Sequence, residues 1–410
     1  MTVAIRSIDD FDVTGRRVLL RVDINSPIDP GSGAIADENR IDQSLPTIRD
    51  LADRGAAVVI IAHQGDTLDY HNLVGLEPHA SRLATKLGRR VQFVDDVAGP
   101  AARDRIARLT AGEILLLDNL RYLTEEVSTF ERDVKLTPEQ MAGTYLVRNL
   151  APLFDLYVND AFAAAHRGSP SMIGFQPLLP SAAGRLLESE VRAITGLIEK
   201  PARPAVFLLG GLKVSDGFSI MGRVLGDGLA DRVLTSGVLG EIFLLASGIA
   251  LGDATERFIA DRDLTRYVEA AARLLSEHAG RLAMPVDVAV IGSQGRAELA
   301  VSDLPTDELI VDIGSETIAA YMAEIGAAGT VFVNGPAGAY ERPGADSGTR
   351  SLWEAVAATP ATTLIGGGDT VASAHRFVDT SLIDHVSTGG GALIRFVGGQ
   401  RLPLLEAFGI

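Results

Sequence analysis

Cysteine is absent from the 410 residues and lysine is nearly so: four lysines, at 86, 135, 200 and 213, stand among 37 basic residues. The first absence excludes disulfides, thiolate metal ligands and thiol nucleophiles. The second leaves arginine, a flat forked donor suited to carboxylate and phosphate, as the usual carrier of positive charge. An excess of positive charge is missing too. A net charge of −16 argues against nucleic acid or an anionic membrane as partner. The nearest approach to a membrane span, VLTSGVLGEIFLLASGIALG over 233–252, has Glu241 near its middle and is broken by glycines, so it reads as a buried helix. The opening MTVAIRSIDDFD has no cationic stretch leading into an apolar one, so no secretory signal is expected and a cytoplasmic location is. HExxH, GxSxG, GxxxxGK[ST] and GxGxxG are all absent.

What is present is a repeated alternation. Short apolar runs, such as VLLRVDIN (18–25), AAVVIIAH (56–63), EILLLDN (113–119) and LYVNDAF (156–162), are separated by stretches with apolar residues at helical spacing. AVFLLGG (205–211), RVLTSG (232–237), ELIVDIG (308–314), TVFVNG (330–335), TTLIGGG (362–368) and HVSTGGG (385–391) repeat the pattern. Runs of this kind joined by helical crossovers predict parallel strands covered on both faces. At this length one core is not enough, so the expected fold is α/β: two doubly wound parallel-sheet (Rossmann-like) domains joined by a hinge helix. The expected boundaries are 1–180, a connecting helix within 181–204, 205–392, and a tail 393–410 that docks back on the first domain.

Such sheets bind ligands at the carboxyl ends of their strands. In the first half those ends and nearby loops present Asp23, Asn25, Arg40, His63, Arg121 and Arg167, a set suited to an anion. In the second half GGLKVSDG, NGPAGAYE and GGGDTVAS place glycines where backbone N–H groups can meet phosphate oxygens. Asp369, directly after three glycines, is a candidate Mg²⁺ ligand or a helix cap. An anion site on one half and a Mg-nucleotide site on the other suggest transfer between two bound ligands after closure.

Nine segments in order then resemble the phosphoglycerate kinase family: RVDINSP, NRIDQSLPTI, IIAHQG, LLLDNLRY, YVNDAFAAAHRGSPSMIGF, LLGGLKV, VNGPAGAYE, LIGGGDT and HVSTGGGA. The HQG variant is similar to the archaeal branch. The resemblance implies reversible phosphoryl transfer between the 1-carboxylate of 3-phosphoglycerate and ADP/ATP, with Mg²⁺ as cofactor, small-molecule partners only, and hinge closure. It implies that Asp23, Asn25, Arg40, His63, Arg121 and Arg167 bind the acid, with Arg40 and Lys213 catalytic. On the nucleotide side it implies Gly210, Gly211, Lys213, Asn334, Glu341, Gly366, Gly367, Gly368, Asp369, Thr370, Gly389, Gly390 and Gly391, with Asp369 on the metal. Oligomeric state is left open, a monomer being favoured.

The pattern also departs from the family. Where a cation followed by proline usually comes after HxG, this sequence has Asp66 and Thr67, and an acid there repels a phosphate ester. A second lysine often lies four residues after the first, at what is here Gly217. Alternatives therefore remain: a kinase of this type acting on another carboxylate, or a non-catalytic nucleotide-binding protein.

Overall fold

The computed structural model describes residues 5–69 and 71–410. The chain forms two compact units, one running to Arg192 and taking in Arg401–Ile410, the other spanning Ala193–Gln400. The helix Arg185–Glu199 contains the change from one to the other.

In the first unit six strands form one sheet: β1 (Arg17–Arg21), β2 (Ala57–Ile61), β3 (Val91–Val94), β4 (Ile114–Leu117), β5 (Leu156–Asn159) and β6 (Ser181–Ala183), in the order β3-β4-β2-β1-β5-β6. Every pairing is parallel. Successive residues of a strand point to opposite faces. Val18, Leu20, Val58, Ile60, Ile114 and Leu116 enter one buried cluster. Their neighbours Leu19, Val59, Ile61, Leu115 and Leu117 enter another. A strand that must be apolar on both faces reads as an unbroken run, which is how VVII and ILLL look in the sequence. The C-terminal helix Pro403–Ala407 belongs to this unit, where the Leu404 amide donates to the Ala165 carbonyl at 3.2 Å.

The second unit has a six-stranded parallel sheet, built from β7 (Ala205–Leu209), β8 (Arg232–Thr235), β9 (Leu282–Ala283), β13 (Thr330–Asn334), β14 (Thr362–Ile365) and β15 (His385–Val386). Its order is β15-β14-β13-β7-β8-β9. Three further strands, β10 (Asp287–Gly292), β11 (Gly295–Ala300) and β12 (Ile310–Ile313), form a separate antiparallel sheet. The run ELIVDIG, expected among the parallel strands, thus pairs with a hairpin instead. The reason lies in VAVIGSQGRAEL: two short runs around a two-residue turn provide β12 with an antiparallel neighbour. The stretch 233–252 splits into β8 and the mostly buried helix Gly237–Ala246. Among the described residues no helix is long and apolar enough to cross a membrane.

Each large sheet reverses its winding once, between β1 and β5 and between β7 and β13. At such a point the two loops diverge and leave a crevice beyond the strand ends.

Candidate functional site

In the first unit the crevice is lined by charge. Asp23, just past β1, is buried and receives Arg40 Nη1 at 2.9 Å on both oxygens. Burial alone would raise its pKa, but Arg40 foremost holds it below the ordinary carboxylate value. His63, past β2, is buried, and its Nδ1 lies 2.9 Å from Arg21 Nη2. Arginine only donates, so Nδ1 accepts and the ring proton sits on Nε2. Desolvation, then the surrounding guanidiniums, pushes His63 down to about 3, so the ring is neutral at pH 7.

Asn25 has a structural task, since its Oδ1 accepts from the Gly65 amide at 2.9 Å and ties the first loop to the second. Arg121 is buried, donating from Nε to the Gly65 carbonyl at 3.2 Å and from Nη1 to the Glu126 carbonyl. Arg167 donates from Nε to Glu131 at 3.1 Å and from Nη2 to Ser128 Oγ. Between these two arginines stands Asp66. Its Oδ2 is 3.5 Å from Arg121 Nη2 and 3.7 Å from Arg167 Nη2, and it accepts from Ser128 Oγ. Burial opposes ionisation, but the Ser128 hydroxyl, Arg121 and the Thr67 amide keep the carboxyl below its usual range. The acid that breaks the sequence pattern is therefore aimed at two of the arginines expected to hold an anion.

Three charged members of this network were missed from sequence: Glu131, already met on Arg167, Arg21 and Glu126. Arg21 ends β1 within an apolar run and looks like part of a core strand, yet it orients His63. Glu126 is buried and accepts from the Ser171 amide at 2.6 Å and its hydroxyl at 2.7 Å, while burial raises its pKa despite Arg21 and Arg121. Arginines 21, 40, 121 and 167 thus face carboxyl groups 23, 66, 126 and 131, four against four, so formal charges cancel when all are ionised.

The second unit gathers glycines and one lysine around the β7/β13 reversal. Lys213 is the residue preceding the helix Val214–Gly226, and its Nζ lies 3.1 Å from Asp369 Oδ2 with both side chains about two-thirds exposed. Asp369 is in the first turn of the helix Gly368–Phe377. A cavity of about 100 Å³ is lined by Gly210, Gly211, Lys213, Asn334, Asp369 and Thr370, together with Gly367, Gly368, Gly390 and Gly391. Asn334 Nδ2 donates to the Gly366 carbonyl at 2.7 Å, and Thr370 Oγ1 accepts from the Gly335 amide at 2.8 Å. Gly367 has φ +103°, and a Cβ there would sit 2.8 Å from Asn334 Nδ2. Only glycine lets this backbone turn so tightly against β13. Gly389 precedes the helix Gly390–Val397, so that two helix starts contribute to one small cavity. Asp216, half-buried and likewise missed from sequence, lines the same space; burial raises its pKa in spite of Lys213.

A second cavity of about 570 Å³ shares Gly211, Leu212, Pro336 and Asp369 with the first, and the exposed Glu341 also lines it. Small and polar beside large and apolar is the shape a phosphorylated, ring-bearing ligand requires. For Mg²⁺ the donor set fits: the ion keeps several waters and uses one or two carboxylates plus ligand phosphates, and Asp369 supplies an exposed hard oxygen at the phosphate-sized cavity. Among the described residues no cluster of three or more acidic or histidine side chains would hold a metal alone.

The family model described as phosphoglycerate kinase matches residues 8–400. A phosphoglycerate kinase of Methanobacterium bryantii is 42% identical over 406 residues, covering 99% of this chain and 97% of the relative. One from Methanothermobacter thermautotrophicus is 44% identical over 401 residues, covering 98% and 96%. Among solved structures, the phosphoglycerate kinase of Pyrococcus horikoshii OT3 superposes with a TM-score of 0.87 at 36% identity, covering 98% of each chain.

Proposed function

The chain belongs to the phosphoglycerate kinase family, kinases that phosphorylate a carboxylate, and from that premise we propose how its own residues carry the reaction. A carboxylate oxygen of 3-phosphoglycerate attacks the γ-phosphorus of ATP, the bond to the β–γ bridging oxygen breaks, and an acyl phosphate and ADP result; the reverse runs by the same path. The acid binds on the first unit. Arg121 and Arg167 take its phosphate by displacing Asp66, while Arg40, held by Asp23, and the Nε2–H of His63 face its carboxylate end.

The nucleotide binds on the second unit, with phosphates at the helix starts of Gly368–Phe377 and Gly390–Val397 and ribose hydroxyls on Glu341. Mg²⁺, when bound beside Asp369, neutralises phosphate charge. Lys213, paired with Asp369 at 3.1 Å, would itself meet the transferred group, where a compact ammonium stabilises charge spread over three oxygens.

One observation carries this reading: Lys213, Asn334, Asp369 and Thr370, from three separate strand ends, line one phosphate-sized cavity. Asp66, together with the absent second lysine at Gly217, is what favours another acid as acceptor. Asp66 does not stand unpaired, however, and both arginines required for phosphoglycerate are beside it. A coupled assay with 3-phosphoglycerate and MgATP tests the proposal. Turnover is expected, falling about 10²-fold or more in Lys213→Ala. MgADP binding without turnover on phosphoglycerate would leave a kinase for a different carboxylate or a non-catalytic nucleotide-binding protein.

A further inference from the structure

The larger cavity of the second unit contains a carboxyl group that nothing in the mechanism uses. Glu241 lies in the helix Gly237–Ala246, is 7% exposed, and lines the cavity with Phe258, Leu309, Ile310 and Val311. Its Oε2 is buried and has no hydrogen-bond partner among the described residues. A buried polar atom without a partner is disfavoured unless a ligand completes it. These four neighbours are apolar, a surface that suits the faces of a flat aromatic ring and leaves its edge to be hydrogen-bonded, while the other charged residues of the lining are Glu341, Arg342 and Asp369.

On the proposed nucleotide reading the ligand's position along the cavity is constrained. Phosphates belong at the small cavity, Asp369 and Gly211 line both spaces, and the exposed Glu341 suits ribose hydroxyls. The apolar, buried part around Glu241 is then left for the base. We propose that Glu241 is a specificity-determining residue that reads the edge of the adenine ring, donating from one carboxyl oxygen to a ring nitrogen and accepting from the neighbouring 6-amino group on the other. This inference rests on the nucleotide assignment of the same site.

The chemistry requires a protonated carboxyl, which is the state the surroundings impose. Arg342 lines the same cavity, but among the described residues no cation draws the carboxyl towards its ionised form, and burial pushes the group up to about 8. A neutral carboxyl offers one donor and one acceptor side by side, as glutamine does when it pairs with adenine. The 6-amino group next to a bare ring nitrogen is the complementary pair.

The test is a cycle between protein and ligand, read by calorimetric titration of the full chain. Wild type, Glu241→Gln and Glu241→Leu are each titrated with MgADP and with the Mg complex of purine riboside 5′-diphosphate, which lacks the 6-amino group. Wild type and the glutamine variant, which keeps a donor beside an acceptor, are expected to prefer ADP by roughly ten-fold, and the leucine variant to lose that preference. An equal preference in wild type and Glu241→Leu, or no preference in wild type, overturns the assignment of Glu241 while leaving the nucleotide site intact. Failure of wild type to bind either nucleotide overturns both. If Glu241→Leu does not fold, loss of the preference in Glu241→Gln refutes the donor–acceptor pairing.

Discussion

Replacing Asp66 by asparagine removes a negative charge from the place where the substrate's phosphate is proposed to bind. The Asp66 carboxylate lies 3.5 Å from one guanidinium nitrogen and 3.7 Å from another. A pair of unit charges at that separation interacts by about 4 kcal/mol at an effective dielectric of 20 and about 1 kcal/mol in water. The Asp66 side chain is 25% exposed against 3% and 17% for the two arginines, so screening is only partial, but the desolvation of the buried partners offsets most of the Coulomb gain and leaves the net pairing near the lower value. For both contacts together an incoming phosphate must overcome about 1–2 kcal/mol of existing pairing. Asp66→Asn is therefore expected to lower KM for 3-phosphoglycerate by roughly 5- to 30-fold. The effect should fall on KM and leave kcat nearly unchanged, because the charge opposes ground state and transition state alike. Asp66→Arg should shift KM in the same direction and further. The assay is the coupled steady-state reaction at two ionic strengths, and the gain should shrink as salt rises. A KM within two-fold of wild type at low salt, or a higher one, refutes the reasoning. It would mean that Asp66 is needed to orient Arg121 and Arg167 more than it obstructs them.

Arg40→Ala leaves Asp23 buried without its bidentate partner, and with Arg40 44% exposed the expected loss is about 1–3 kcal/mol, or a fall of several degrees in thermal midpoint. Adding Asp23→Asn should restore stability without restoring turnover; an Arg40→Ala variant as stable as wild type would contradict the pairing. Glu241 gives a pH signature: its folded pKa of about 8 lies above the ordinary 4.5, so between those values the unfolded chain has released a proton that the folded chain still holds. Stability therefore falls as pH rises from about 5 to 8, by a few kcal/mol in order of magnitude, and calorimetric scans should show a much flatter dependence in Glu241→Gln. Trp353 is the sole tryptophan, is buried in the second unit, and donates to Ser373 Oγ at 3.0 Å on the helix that begins beside Asp369. Its fluorescence should follow unfolding of that unit, and MgADP at about 100 times its Kd should add about 2.7 kcal/mol to the transition. An unmoved transition would remove the nucleotide from this unit.

How much of this was legible beforehand follows from which forces act locally. The parallel strands were visible because a strand covered on both faces has to be apolar at every position, and VVII, ILLL and VFVN meet that demand within a few residues of sequence. The glycine turns were visible for a similar reason, since a tight approach such as that of Gly367 to Asn334 leaves a mark on the residue itself. Arg21 was hidden because its flanking residues look like core, and only the neighbouring strand, 42 positions away, brings His63 to its guanidinium. The antiparallel sheet was hidden because its partners are chosen by pairing: ELIVDIG alone does not say which neighbour it will take.

Asp66 shows the same limit at the site itself. Read along the chain, it is an acid replacing a cation, and charge counting says that the site is spoiled. Ser128, 62 residues later, and Arg167 beyond it change that meaning, because they make Asp66 one partner in a neutralised cluster, the one proposed above to exchange its carboxylate for the anion. A departure from a family pattern is thus a statement about one position, whereas affinity depends on the difference between two complete networks, with ligand and without. The same reasoning makes the arginines more informative than the aspartate. Had Arg121 or Arg167 been replaced, no internal carboxylate could have supplied what was lost, and the substrate assignment would have failed on charge alone.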